Sequence, residues 1–322
     1  MDKYLIILGA GPQQEYVYLK CKELGIKTVA LDQNPKAASI CFADIFVQAS
    51  IKDSQECISA LSKQNLQYSG VMTYGAEVSQ VVSDIANRFN LISVSTDVAY
   101  ATTNKGRRSE ILRAAGIRIP KYEILSKFQE PNFSFPCIVK PTDSSGSRGV
   151  TLVNNKDSWK SAFDLAASIS SDQKVIVEEY LNGQEISIEG FVLNNKVYIY
   201  GLTDRNFLPV EETDMMFIED GSSGPSKFDF KIIDEVKSEF AKAVIALGIK
   251  NGPTKGDLIV TENGVFVFEI TSRLSPGFSM FSEEIYGVSP LDQAIKYATG
   301  QKVYPEDLVP KFNHGFSHRY YF

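Results

Sequence analysis

Short unbroken apolar runs alternate with helical periods over the first hundred residues. Leu5 to Leu8 reads as a strand buried on both faces, and Gly9-Ala10-Gly11-Pro12 ends it. Val17, Cys21 and Leu24 then recur on one helical face before a second apolar run, Thr28 to Leu31, that stops at Asp32. Strand, glycine turn, helix and strand make a βαβ unit. The alternation continues with helix Asp53 to Leu61, strand Gly70 to Thr73, helix Glu77 to Phe89 and strand Leu91 to Val94. This predicts a parallel sheet covered on both faces and closing near residue 100.

Beyond residue 100 the period changes. Asp97 can cap one helix, and Asn104-Lys105 precedes another that carries Arg107, Arg108, Ile111 and Leu112 and ends at Gly116 and Pro120. Trp159, Ala162, Phe163 and Ala166 form a helical stripe, Val175 to Leu181 a strand that stops at Asn182-Gly183. Gln184 to Leu193 alternates as an antiparallel strand and turns at Asn194-Asn195 into Lys196 to Tyr200. Parallel units thus give way to hairpins, so the chain divides into 1–100, 101–183 and 184–322, an α/β part followed by an α+β part. Residues 203–228 show no clear period, carry Glu211, Glu212 and Asp214, and read as a lid over a site. Ile233, Val236, Phe240, Val244 and Leu247 then lie on the stripe of a long helix.

The hairpin from Gly256 to Arg273 carries chemistry, and its register decides which. A two-residue Asn263-Gly264 loop would put Asp257 and Glu269 on opposite faces, because a slip of one residue exchanges the faces. A three-residue loop, Glu262-Asn263-Gly264, instead sets Asp257 opposite Glu269 and gathers Leu258, Val260, Phe266, Phe268 and Ile270 on one apolar face. The second register is preferred for that reason. Two carboxylates about 5 Å apart at Cβ repel unless a cation lies between them, and hard oxygen ligands suit Mg²⁺.

Two glycine-bearing turns compete as anion sites. In Ser144-Ser145-Gly146-Ser147-Arg148-Gly149, which follows the short strand Cys137 to Val139 and Lys140-Pro141, small side chains let backbone N–H groups approach an anion while Lys140 and Arg148 supply charge. No Gly-Lys-Ser/Thr follows it, which excludes a P-loop. The earlier Gly9-Ala10-Gly11-Pro12-Gln13-Gln14 lacks the third small residue of a dinucleotide fingerprint, so a nicotinamide-dependent oxidoreductase is the weaker reading.

Composition narrows the classes further. Hydrophobic residues at 43% and charged ones at 22% are ordinary globular values, and a net charge of -6 disfavours broad binding to nucleic acid or anionic membrane. No apolar run approaches the ~20 residues of a membrane span, the start shows no signal-peptide layout, and a cytoplasmic location is expected. Cys21, Cys41, Cys57 and Cys137 show no metal spacing and read as reduced core thiols. His314 and His318, four apart, read as structural.

In order along residues 1 to about 300, Lys105 before its helix, the strand ending in Lys140-Pro141, the Ser/Gly loop, Glu178-Glu179-Tyr180-Leu181 and the Asp257/Glu269 hairpin resemble the ATP-grasp superfamily. Similar chains include D-alanyl-D-alanine ligases, L-amino-acid ligases, biotin carboxylase and carbamoyl phosphate synthetase. The resemblance implies a Rossmann-like pre-ATP-grasp domain followed by a two-lobed ATP-grasp fold. It implies ATP and Mg²⁺ as cofactors. Lys105 and Lys140 would contact phosphates under a flap of Ser145, Gly146, Ser147 and Gly149, Glu178, Glu179, Tyr180 and Leu181 would meet adenine, and Glu185 the ribose. Asp257, Glu269 and Thr271 would serve the metal, with Arg273 near the γ-phosphate and Ser275-Pro276-Gly277 on the acceptor side. The superfamily usually has Asn where this chain has Thr271, a weaker neutral ligand.

The activity so implied is carboxylate–amine ligation through an acyl phosphate, on small-molecule substrates. The alternative is a non-catalytic or regulatory ATP-binding protein. Arg205 is expected to attract the carboxylate, and Glu211, Glu212 or Asp214 the amine. A homodimer is expected by family analogy, and because many longer ligases continue into a further domain, what such a domain provides is expected either to be absent or to come from a second subunit.

Overall fold

The computed structural model describes residues 2–132, 134–209, 213 and 217–320. Its first unit runs β1 (Lys3–Leu8), α1 (Glu15–Glu23), β2 (Lys27–Asp32), β3 (Ile45–Gln48), α2 (Ser54–Ser62), β4 (Gln67–Thr73) and α3 (Ser79–Phe89). The strands pair in parallel in the order β3-β2-β1-β4. Leu5 to Leu8 are wholly buried because both faces are covered, as an unbroken apolar strand requires. One face carries Ile6, Leu8, Val29 and Leu31 against Cys57, Leu61, Val82 and Ile85 of α2 and α3. The other carries Leu5, Ile7 and Ala30 against Val17 and Cys21 of α1 and against Leu291, Ile295 and Ala298 from far along the chain.

Two helices follow, α4 (Thr96–Thr103) and α5 (Lys105–Ala114). The predicted strand Leu91 to Val94 does not form. It lies between Asn90, the left-handed cap of α3 (φ 55°), and Ser95, the cap of α4, so these four residues only link two packed helices, and Ser83 Oγ donates to the Val94 carbonyl. Ser95, rather than Asp97, accepts from the first turn of α4. Leu24 is likewise misplaced by the pattern: it caps α1 and is exposed.

The second sheet is built from β5 (Tyr122–Leu125), β6 (Cys137–Pro141), β7 (Thr151–Val153) and β8 (Val175–Glu179), ordered β5-β8-β6-β7, antiparallel, with α6 (Trp159–Ile169) packed on it. The third contains β9 (Gln184–Leu193), β10 (Lys196–Phe207), β11 (Glu219–Gly224), β12 (Gly252–Thr261), β13 (Gly264–Thr271) and β14 (Phe316–Arg319), with α7 (Phe230–Ala246) on its apolar face. Part of the stretch read as an irregular lid is therefore strand: β10 runs on to Phe207, and β11 pairs with it and with β14. The remaining helices are α8 (Pro276–Ser279), α9 (Ser282–Tyr286) and α10 (Pro290–Ala298), the last supplying the long-range cover of β1.

Asp257 does pair with Glu269, but by a different route from the predicted one. The turn has two residues, Thr261 pairing with Gly264, and a bulge falls between Asp257 and Leu258 on one side and Val267 and Glu269 on the other. The extra residue is Phe268. Phe266 and Phe268 are consequently only half-buried and leave the core face, where Val265, Val267 and Ile270 pack instead.

Candidate active site

The second and third sheets face one another across a cleft of about 440 Å³, joined by Tyr180 and Leu181, which connect β8 to β9. One wall begins at the N-terminus of α5. Asn104 caps that helix by accepting from Arg107 N at 2.9 Å, and Lys105 N donates to the Thr142 carbonyl at 2.7 Å. Lys105 Nζ donates to the Ser144 carbonyl, tying helix to loop. Burial lowers its pKa from the ordinary lysine value to about 8, because a charged ammonium out of water is unfavourable.

Lys140 projects from β6 to Glu178 Oε2 on neighbouring β8, 2.5 Å away, and its ammonium lies 5.6 Å from the centre of the Phe268 ring. Ser144, Ser145, Gly146 and Ser147 line the cleft; Gly146 (φ 64°) and Ser147 (φ 54°) take the left-handed conformation that turns the loop. Gly149 does a different job. A Cβ there would come within 2.8 Å of Ile169, so it lets the loop return against α6 rather than facing the cleft. Arg148, expected to add charge, is exposed and donates to the Ser145 carbonyl at 3.2 Å. Glu179 accepts from Lys121 N at 2.8 Å, and Tyr180 and Leu181 complete this rim.

The opposite wall is a network of buried charge. Arg205 is 2.8 Å from Glu185, 2.8 Å from Glu219 and 3.3 Å from Asp257, so its guanidinium is engaged by three carboxylates and does not face a substrate acid unpaired. Lys255 Nζ lies 2.5 Å from Asp257 and 3.9 Å from Glu269, and Arg108 lies 4.0 Å from Glu269. Burial pushes the Asp257 carboxyl up, but Arg205 and Lys255 outweigh it and hold it well below the usual range. Glu269 is likewise held low, burial being outweighed by Lys255 with Arg108 and Lys105. Glu185 goes the other way: burial raises it to about 7 despite Arg205. Arg273 pairs with Glu77 of the first unit and donates to the Leu274 carbonyl at 3.1 Å.

Mg²⁺ can be tested against these donors. Asp257 Oδ1 and Thr271 Oγ1 are both buried without a hydrogen-bond partner, and Thr271 stands two residues beyond Glu269 on the same strand, so the residues present offer the hard oxygen donors that Mg²⁺ takes. Among the described residues no group of three His, Cys, Asp or Glu is placed to hold a metal ion. Ser275 and Gly277 border a separate chamber of about 50 Å³ that shares Glu219 with the cleft, while the Pro276 carbonyl accepts from Tyr74 at 3.1 Å. Glu211, Glu212 and Asp214 lie outside the described residues.

Lys255, Glu77, Glu219 and Phe268 belong to the site but escaped sequence reasoning. Lys255 had a signal, standing two residues before Asp257 on the same strand face. Glu77 had none, since its partner is 196 residues away. The other glycine turn holds no site: Asp32 accepts from Ala10 N at 2.9 Å and the Gln14 side chain fills the space over Gly9 and Gly11. Cys21, Cys57 and Cys137 are buried and free as expected, whereas Cys41 is exposed.

Residues 133–279 match the family model described as ATP-grasp domain. The carbamoyl phosphate synthase large chain of Clostridium beijerinckii is 21% identical over 325 residues, covering 94% of this chain and 30% of that protein, so the chain spans about a third of the length of such relatives. The structure is similar to that of an L-amino acid ligase from Bacillus licheniformis (TM-score 0.83, 18% identity, 96% of this chain and 78% of that one). It is also similar to N5-carboxyaminoimidazole synthetase from Staphylococcus aureus complexed with ADP (TM-score 0.77, 20% identity, 94% and 79%). No described helix is long and apolar enough to cross a membrane.

Proposed function

We propose, from the match of residues 133–279 to the ATP-grasp domain model and from the geometry of the cleft, that this chain is an ATP-dependent ligase that joins a carboxylate to an amine. The observation that carries the reading is the meeting, in one cleft, of Lys105, Lys140 and the Ser/Gly loop with the opposed carboxylates Asp257 and Glu269. Cations and loop amides suit phosphates on one wall, and acidic oxygens suit a divalent ion on the other.

In the proposed reaction a substrate carboxylate oxygen attacks the γ-phosphorus of ATP, and the bond to ADP breaks. The amine nitrogen then attacks the carbonyl carbon of the acyl phosphate, phosphate leaves, and the nitrogen loses its proton. The protein forms no bond itself, so its residues position and neutralise. Lys105 and Lys140 hold phosphate oxygens, Ser145, Gly146 and Ser147 lie over them, and Glu178, Glu179, Tyr180 and Leu181 border the base. Asp257 and Glu269, with the Thr271 hydroxyl, would hold Mg²⁺, which when bound would neutralise phosphate charge. Glu185 would take the ribose and Arg273 the transferred phosphate. We assign Arg205 to orienting Glu185 and Asp257, and Ser275 to Gly277 to the acceptor side.

Mg²⁺-dependent ADP release across a matrix of carboxylic acids and amines, with Glu269→Ala as control, tests this. ADP that requires one acid and one amine, and disappears in the control, is the expected result. ATP binding without ADP release under any pair would overturn the ligase reading in favour of a nucleotide-binding protein without turnover.

A further inference from the structure

Asp257, buried, and Glu269, partly buried, face each other across β12 and β13, and carboxylates so placed need a compensating cation. This chain already contains one. Lys255 Nζ is 2.5 Å from Asp257 Oδ2 and 3.9 Å from Glu269 Oε2. Strand geometry puts it there: Lys255 and Asp257 are two residues apart on β12 and share a face, and the residue paired with Lys255 across the hairpin is Thr271, small and neutral. A charged or bulkier ligand at that cross-strand position would compete for the space that the ammonium uses. Arg205, which also serves Glu185 and Glu219, lies 3.3 Å from Asp257, and Arg108 lies 4.0 Å from Glu269, so each of the two carboxylates meets cationic side chains before any metal arrives.

The vacant donors tell the same story from the other side. Asp257 bonds Lys255 through Oδ2, so Lys255 already occupies that oxygen, and Oδ1, buried and unpartnered, is the one left for an ion. A second divalent cation would enter against Lys255 and Arg205, with only a hydroxyl, Thr271 Oγ1, as additional donor.

We propose that Lys255 is the built-in second cation of this site, so that the nucleotide binds with a single Mg²⁺ on Asp257 and Glu269; this rests on the cleft being an ATP site. The Lys255 ammonium then faces the phosphates as a site cation, and its charge does not depend on free metal.

The test counts ions rather than turnover. The full chain is titrated with Mn²⁺, standing in for Mg²⁺, in the presence of a saturating non-hydrolysable ATP analogue, and free Mn²⁺ is read by electron paramagnetic resonance. One ion per bound nucleotide is expected for the wild type and for Lys255→Arg. Lys255→Met is expected to bind the analogue about tenfold more weakly at low metal, with recovery as a second ion enters at high metal. Two ions in the wild type would overturn the role of Lys255 while leaving the nucleotide reading intact. One ion and unchanged affinity in a folded Lys255→Met would overturn it as well. Should Lys255→Met fail to fold, Lys255→Gln, which keeps a polar side chain without the charge, takes its place under the same two outcomes. No analogue bound by the wild type at any metal concentration would remove the nucleotide reading, and the role of Lys255 with it.

Discussion

Two strand-to-loop turns in this chain are built largely of small residues, and only one opens on the cleft between the second and third sheets. After β1, Gly9-Ala10-Gly11 leads toward α1; after β6, Ser144 to Gly149 returns toward β7. In the first, the amide of Ala10 is spent on Asp32 and Gln14 covers the glycines, its Nε2 donating to the Tyr74 carbonyl at 2.7 Å. In the second, the loop borders the cleft and two lysines converge beside it. Small residues at a turn permit an anion to approach; whether it can is decided by what else has already taken the amides and the space.

The largest expected effect sharpens this contrast at the wall facing the second loop. Replacing Glu269 with Ala should lower ligase turnover by about 100-fold or more, because it removes a metal-holding oxygen and leaves Lys255 and Arg108 with less opposing charge. Steady-state ADP release measures it, and turnover within twofold of wild type would break the assignment of the second wall.

Next is Lys140, whose partner Glu178 is nearly fully buried. Lys140→Met should destabilise the chain by about 3–5 kcal/mol, since it strands a buried carboxylate. Lys140→Met combined with Glu178→Gln should regain most of that loss in urea melts while nucleotide binding stays weak. Recovery of binding together with stability would show that Lys140 is only a structural partner.

Lys105 supplies a pH dependence. Its pKa near 8 in the fold lies below that of a free lysine, so the folded state binds fewer protons than the unfolded one above pH 8. The sign follows: its burial cost is present below pH 8 and is relieved as pH rises toward 10.5. Phosphate binding needs the ammonium and runs oppositely. Nucleotide affinity should fall by up to about tenfold per pH unit above 8, with proton uptake on binding seen as a buffer-dependent heat by calorimetry. In Lys105→Arg, which stays charged, the fall should vanish.

The smallest effect belongs to the first turn. Asp32→Asn should cost about 1 kcal/mol of stability through the weakened bond to Ala10 N, and leave nucleotide affinity within twofold. A larger change in affinity would mean that the first turn takes part in binding after all.

Much of this arrangement was legible one stretch at a time. The unbroken apolar run of β1, the helices that start at Asp53 and after Asn104, the alternation of β9 and the stripe of α7 each rest on local periods, and the structure forms all of them. The opposition of Asp257 and Glu269 was also reached, although through the wrong turn. The loop from 91 to 94 and the strand β11 were misread because pairing is a property of neighbours: four apolar residues between two helix caps find no ladder, while Glu219 to Gly224, polar and glycine-bearing, pair because β10 and β14 flank them.

Residue periodicity and spacing by themselves determined that strands alternate with helices, that hairpins follow, and that lysines, small residues and carboxylates recur in a defined order. Only the tertiary structure decided the bulge that turns Phe268 toward Lys140, the ion pair of Arg273 with Glu77, and the choice of Asp257 rather than solvent as the partner of Lys255. The reason is physical. Local backbone preference acts over a few residues, whereas a buried charge must find its compensation wherever the fold brings an opposite charge within reach, however distant along the chain.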